Sequence, residues 1–243
     1  MAVRGRNGAG TGVTFAALVV LAGVLQAPAA VAAAPKLEHL VAYKSGRVVQ
    51  KQVRAPARTV RVAGRRCAVA EGTALAALLR SRPGRVGLRD FGDCSRRARD
   101  GGGLFVRAIS GERNRGQDGW TYKVGTRAAT AGAADPSGPF GNGRLRSAKR
   151  VTWFYCRLRR GSCQRTLGMK LERGADGTVA AVVRGYDDEG RSVPVGNATV
   201  TAGATRVATD ARGRTPPFDP GGDAVRARKR GLVPSFAERA PAR

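Results

Sequence analysis

The chain has 243 residues, with 44 Lys and Arg against 17 Asp and Glu, a formal net charge of +27, one His and four Cys. That balance excludes an acidic or neutral protein, and a single His with four Cys excludes most His-based hydrolase and multi-ligand metal chemistry. A hydrophobic content of 42% allows a core, but aromatics at only 5% make it one of small aliphatics, and 34 Gly with 12 Pro favour short strands and turns.

Residues 1–33 read as a secretory signal peptide. Arg4 and Arg6 precede an apolar run from Val13 to Leu25, followed by the small residues Ala30-Val31-Ala32-Ala33. The run is too short to span a bilayer as a stable helix, so a secreted, extracellular product with no transmembrane anchor after cleavage is expected. Removal of this segment takes away two Arg and no acid, leaving a formal +25.

Next, Leu40 to Val53 reads as two strands around Ser45-Gly46, and Thr59-Val60-Arg61-Val62 alternates as a strand before Cys67-Ala68-Val69. Glu71 to Arg80 is the one convincing helix: Thr73 serves as N-cap, Leu75, Leu78 and Leu79 share a face, and Pro83-Gly84 ends it. Gly101-Gly102-Gly103 reads as a turn rather than a phosphate loop, because no strand-to-helix pattern surrounds it. Strands follow at Leu104–Ile109, Trp120–Val124 and Val151–Cys156. One helix on a small mixed sheet is an α+β, β-grasp-like arrangement for residues 35–163. From Arg165 the helical signal vanishes. Leu167–Glu172, Thr178–Tyr186, Ala198–Thr201, Arg206–Thr209 and Ala224–Lys229, punctuated by Asp- and Gly-rich turns, suggest a small all-β sandwich over 166–243.

Cys67, Cys94, Cys156 and Cys163 are an even set in an exported chain, so two disulfides are expected. Three pairings exist. The turn-like stretch between Cys156 and Cys163 favours that pair, with Cys67–Cys94 as the other. No C-x-x-C spacing is present, so neither a metal nor any other cofactor is expected.

Two candidate recognition features remain. Trp120 and Tyr122 lie on one face of their strand, as do Trp153 and Tyr155, so the four rings either line a ligand groove or fill the core under the helix. The basic excess is 37 Arg against 7 Lys and is dispersed; it reads first as the coding bias of a GC-rich genome and second as affinity for anionic cell-wall polymer, polysaccharide or membrane surfaces. Export argues against nucleic acid as a partner. The lone His39 falls in a stretch expected to fray. The acidic triple Asp187-Asp188-Glu189 reads as a solvated hairpin turn in preference to a glycosidase pair or a weak calcium site, and the acceptor pattern Asn197-Ala198-Thr199 reads as incidental.

In their order, Glu71–Leu79, Phe105–Gly111, Gly119–Val124 and Val151–Tyr155 resemble the C-terminal β-domain of transcobalamin and intrinsic factor, and more closely an uncharacterised family of bacterial exported proteins similar to that domain. The segments Gly177–Val179, Gly185–Gly190, Val193–Val200, Ala208–Gly213 and Val225–Ala227 resemble exported immunoglobulin-like modules of the carboxypeptidase regulatory-like type. With the aromatic strands and the lack of a catalytic constellation, these resemblances point to an exported, non-enzymatic binding or surface-interaction protein, and the basic excess points to an anionic cell-wall polymer, a polysaccharide or a protein as its partner. Small-ligand, cobalamin-like capture and an extracellular hydrolase are the competing classes.

Overall fold

A computed structural model describes residues 33–174 and 176–240; the signal-peptide reading falls almost wholly outside the described residues. In chain order the first half contains β1 (Lys36–Ala42), β2 (Val48–Arg54), β3 (Arg58–Val62), β4 (Arg65–Val69), helix α1 (Ala74–Ser81), β5 (Val86–Asp90), a 3-10 turn (Ala98–Gly103), β6 (Leu104–Ile109), β7 (Glu112–Arg113), β8 (Gly119–Val124), β9 (Arg127–Ala128) and β10 (Arg150–Cys156). The second contains β11 (Thr166–Arg173), β12 (Val179–Tyr186), β13 (Ser192–Pro194), β14 (Thr199–Ala202), β15 (Thr205–Ala208) and β16 (Val225–Arg228). The described chain is thus mostly sheet, and Ala34–Arg243 form one compact unit.

The largest sheet has the order β2-β1-β10-β8-β9, with β1 and β10 parallel and the other pairs antiparallel. Helix α1 starts where Thr73 Oγ1 accepts from the Ala76 N–H at 3.2 Å, and it ends at Arg82, which takes the left-handed conformation ahead of Pro83. A side-chain acceptor at that position satisfies one of the four N–H groups a helix leaves free. The loop after β9 supplies another, since Ala133 O accepts from the Leu75 N–H at 2.8 Å. Leu75 and Leu78 pack the helix over β1 and β2 and share the main core with Leu37, Val41, Val151 and the aromatic rings. Gly101 explains part of the triple glycine: a Cβ there would sit 2.8 Å from the Ala68 carbonyl of β4, so only glycine lets this turn lie on that strand.

In the second half, sheets β11-β12-β13 and β15-β14-β16 share one core of Leu167, Val179, Ala181, Val183, Val200, Val225 and Ala227. A third cluster joins the halves. Leu40, Ala42, Phe154 and Cys156, on the face of the large sheet turned away from α1, meet Val233 and Phe236. Strand β10 is therefore buried on both faces from Val151 to Cys156.

Two expectations change here. His39 does not lie in a frayed end: it occupies the interior strand β1, opposite Lys51 of β2 and Val151 of β10, and is fully buried with no hydrogen-bond partner at either ring nitrogen. Burial holds its pKa down to about 3. The acidic turn is not simply solvated either. Asp187 faces Arg191 at 3.1 Å, Glu189 faces Arg191 at 2.9 Å, and Asp188 reaches across to Lys123 Nζ at 3.2 Å. Asp187 and Glu189 thus share Arg191 while Asp188 turns to Lys123, so the three carboxylates do not converge on one point.

Disulfides join Cys67 to Cys94 and Cys156 to Cys163. Two disulfides suggest an extracellular or otherwise oxidising environment. The second closes a hairpin whose turn residues Arg160 and Gly161 both have positive φ, 51° and 78°, and whose Arg159 and Ser162 exchange backbone hydrogen bonds. Positive φ at both central positions is the type I′ geometry suited to a two-residue hairpin. Replacing Cys156 and Cys163 together by serine should cost about 2.5 kcal/mol on the loop-entropy account, read as a drop in unfolding midpoint under non-reducing conditions. An unchanged midpoint would show that the hairpin holds itself.

Candidate functional site

The four aromatic candidates are brought together, but inside the core. The register of β8 against β10 sets Tyr122 opposite Trp153 and Trp120 opposite Tyr155. Tyr122 and Trp153 stack with centroids 5.1 Å apart, while Trp120 meets Tyr155 edge-on at 5.9 Å and Tyr43 edge-on at 5.7 Å. Their polar tips are tied to backbone: Trp120 Nε1 donates to Glu112 O, Tyr122 OH to Ala131 O and Tyr155 OH to Arg113 O. Burial raises the Tyr122 pKa above its ordinary value. All four rings are at most 6% exposed, so together they present no open platform to a ligand. Tyr155 alone also borders an open cleft.

That cleft, about 680 Å³, lies where the two halves meet. Its first wall is the β1–β2 turn with Tyr43, Lys44 and Ser45, followed by the end of β10 and Arg157. Its second wall is Asn197 and Thr199 at the start of β14, with the run Arg228-Lys229-Arg230-Gly231 that leaves β16. Phe154, Leu232 and Val233 form an apolar floor. Local rules explain each wall. Gly46 permits the tight turn with φ of 86°, and Gly231, with φ of 82°, turns the chain after Arg230 so that consecutive cations stay on the rim.

Five cations line the cleft: Lys44, Arg157, Arg228, Lys229 and Arg230. No Asp or Glu lines it, and among the described residues none of the five pairs with a carboxylate, although ion pairs are frequent elsewhere on the surface. Instead they are oriented by neutral carbonyls. Arg228 Nη1 donates to Gly46 O at 3.2 Å across the cleft, Lys229 Nζ to Gly196 O at 2.6 Å, and Arg157 Nη2 to Lys44 O at 3.5 Å. Glu112, the carboxylate closest to the Lys44 turn, accepts from the backbone N–H groups of Lys44 and Ser45. Carbonyls fix geometry without cancelling charge, so the site keeps a positive field in a concave space. Neighbouring Arg226 registers this: burial first, and then repulsion from Arg228, push its pKa below the ordinary arginine value.

Ser45, Gln164, Asn197 and Thr199 add neutral hydrogen-bonding groups. The arrangement suits phosphate, sulfate or carboxylate groups held by charge-assisted hydrogen bonds. It offers no His, Asp, Glu or Cys to act as base, acid or nucleophile. Among the described residues no group of three or more His, Cys, Asp or Glu side chains converges to hold a metal ion, and no helix is long and apolar enough to cross a membrane.

Sequence reading gave the basic excess only as dispersed and had no means to place Lys44, Arg157 and the Arg228–Arg230 run side by side, because the three segments meet only in the fold. It also passed over Lys123. That side chain is fully buried on the outer face of β8, where its ammonium donates to Tyr186 O at 3.1 Å and Asp187 O at 2.7 Å and pairs with Asp188. Comparison with family models, with curated proteins and with solved structures returned no match for this chain.

Proposed function

We propose that this chain is an exported, non-enzymatic binding protein that captures an anionic polymer in the cleft between its halves. The observation that carries the reading is the set of five cleft cations with no carboxylate among them. In this reading residues 1–33 are a cleaved signal peptide, the first half is a β-grasp-like domain of the transcobalamin C-terminal type, and the second is an immunoglobulin-like sandwich. That second module braces the first and contributes one wall of the cleft. An anionic polymer of the cell wall is the favoured occupant over a neutral polysaccharide, because the rim is dominated by charge. A smaller cavity lined by Arg144, Arg146 and Lys149 is likewise free of acids, but the cleft gathers five cations from three separate segments of the chain.

A calorimetric titration of the full chain with poly(glycerol phosphate) tests this. Binding is expected at low salt and should weaken by roughly an order of magnitude or more when the ionic strength is raised well above physiological, as released counterions and screening dictate. Absence of heat and of complex at low salt would refute the reading.

A further inference from the structure

A second surface stands apart from the cleft. On the hairpin of β5 and β6, Phe91 is 64% exposed and Phe105 is 43% exposed, an unusual pair in a chain with seven Phe in all. Leu104 and Val106 of the same strand point inward and are buried, so the outward face of β6 is presented to solvent by a fixed register. The register also sets Arg89 directly opposite Phe105. The Arg89 guanidinium lies 4.4 Å from the Phe91 ring centre, and the two rings meet edge-on with centroids 5.7 Å apart. Arg107 extends along the same face over Gly87, where an added Cβ would meet its Cγ at 3.5 Å.

The charge on this face has one sign. Among the described residues, neither Arg89 nor Arg107 pairs with a carboxylate. Asp90 is turned away: its side chain is 5% exposed, and its oxygens accept from the Gly92 and Cys94 N–H groups and from Arg65. Asp93, in the loop beyond Phe91, is exposed and partnered by Arg65.

We propose that this Phe91–Phe105 face, with Arg89 and Arg107, docks the protein on an anionic lipid surface. Two protruding rings beside unpaired guanidiniums match the boundary of a bilayer, where aromatic side chains sit at headgroup depth and arginines meet lipid phosphates. A polysaccharide fits less well. Sugar rings stack on flat platforms, whereas these two rings stand at 67° to each other, and the neighbouring carboxylate that would bind hydroxyls is buried and occupied.

The test is co-sedimentation of the full chain with vesicles of phosphatidylcholine alone and of phosphatidylcholine mixed with phosphatidylglycerol. Binding to the mixed vesicles only is expected. Phe91→Ser with Phe105→Ser keeps every charge and alters only exposed side chains; it should weaken binding roughly tenfold or more. Arg89→Gln with Arg107→Gln should abolish the preference for the anionic lipid. A control that removes two charges elsewhere, Arg206→Gln with Arg212→Gln, should retain binding within about twofold. Circular dichroism confirms that each variant is folded. The proposal is overturned if the doubly substituted phenylalanine variant binds mixed vesicles as the parent does, since diffuse charge alone would then suffice. It is equally overturned if the parent chain fails to bind them at low salt, or if the phenylalanine changes abolish binding to a polysaccharide and leave vesicle binding intact.

Discussion

Replacing Lys123 by alanine should lower the unfolding free energy by about 3 kcal/mol, among the largest losses available to a single residue here. The ammonium is fully buried on β8 and holds together three groups from the β12–β13 turn: the carbonyls of Tyr186 and Asp187 and the carboxylate of Asp188. Burial pulls its pKa below the ordinary lysine value, against the opposing pull of Asp188 and then Asp187. Removing the cation takes a donor from the Tyr186 carbonyl and from the Asp187 carbonyl, which keeps the Gly190 N–H, and leaves Asp188 without its cation. The estimate sits at the low end of the range for a broken buried pair because Asp188 is 24% exposed and its other oxygen still accepts from the Cys163 N–H. Lys123→Met keeps the stem's volume and isolates the charge effect. Combined with Asp188→Asn, which retains an acceptor for Cys163, it should be less damaging than the sum of the two single changes, a coupling that a double-mutant cycle reads directly. Additive losses would mean that the pair does not act as a unit.

Stability should also fall in acid through His39. The buried ring remains neutral down to about pH 3, whereas in the unfolded chain it protonates near 6.5. Below pH 6.5 the unfolded state therefore binds a proton that the folded state refuses, and stability drops by about 1.4 kcal/mol per pH unit, reaching about 3 kcal/mol by pH 4. Above pH 6.5 the histidine adds no pH dependence. No hydrogen-bond partner at either ring nitrogen offsets that burial, and Lys51, its cross-strand partner, donates instead to Ser81 O at the end of α1. Carboxylates elsewhere contribute acid sensitivity of their own, so the informative quantity is a difference. The stability of His39→Leu should fall less steeply between pH 6.5 and 4 than that of the parent chain, and the variant should be at least as stable at neutral pH because two unpartnered ring nitrogens leave the core. Parallel pH profiles for the two proteins would contradict the account.

The elements legible in the sequence were those whose local pattern is self-sufficient. Thr73 ahead of a leucine-rich stretch marked α1, alternation marked β8 and β10, and Gly-rich turns bracketed β11, β12 and β14. Strand β5 was missed because its register shifts between Gly87 and Leu88, which breaks the two-residue period, and because it carries a glycine and an arginine. His39 was misread because a polar residue near the start of the predicted mature chain looks like a tail. Only the parallel pairing of β1 with β10, more than a hundred residues distant, makes that segment an interior strand. The long Ala- and Gly-rich stretch after β9 gave no sign that Ala133 would cap α1. The cleft was illegible for a related reason: its cations lie on segments far apart in sequence, and dispersed arginines look alike whether they face open solvent or one another across a concavity.

The central claim is that anion capture belongs to the cleft and not to the chain's overall charge. Two variants that each remove two positive charges separate these: Arg228→Gln with Arg230→Gln in the cleft, and Arg61→Gln with Arg66→Gln on the β3–β4 hairpin, all four side chains exposed. In calorimetric titration with poly(glycerol phosphate) at low salt, the cleft variant should bind about tenfold more weakly than the parent chain, while the hairpin variant should remain within about twofold. Equal losses in the two variants would contradict the account and leave the binding to net charge alone.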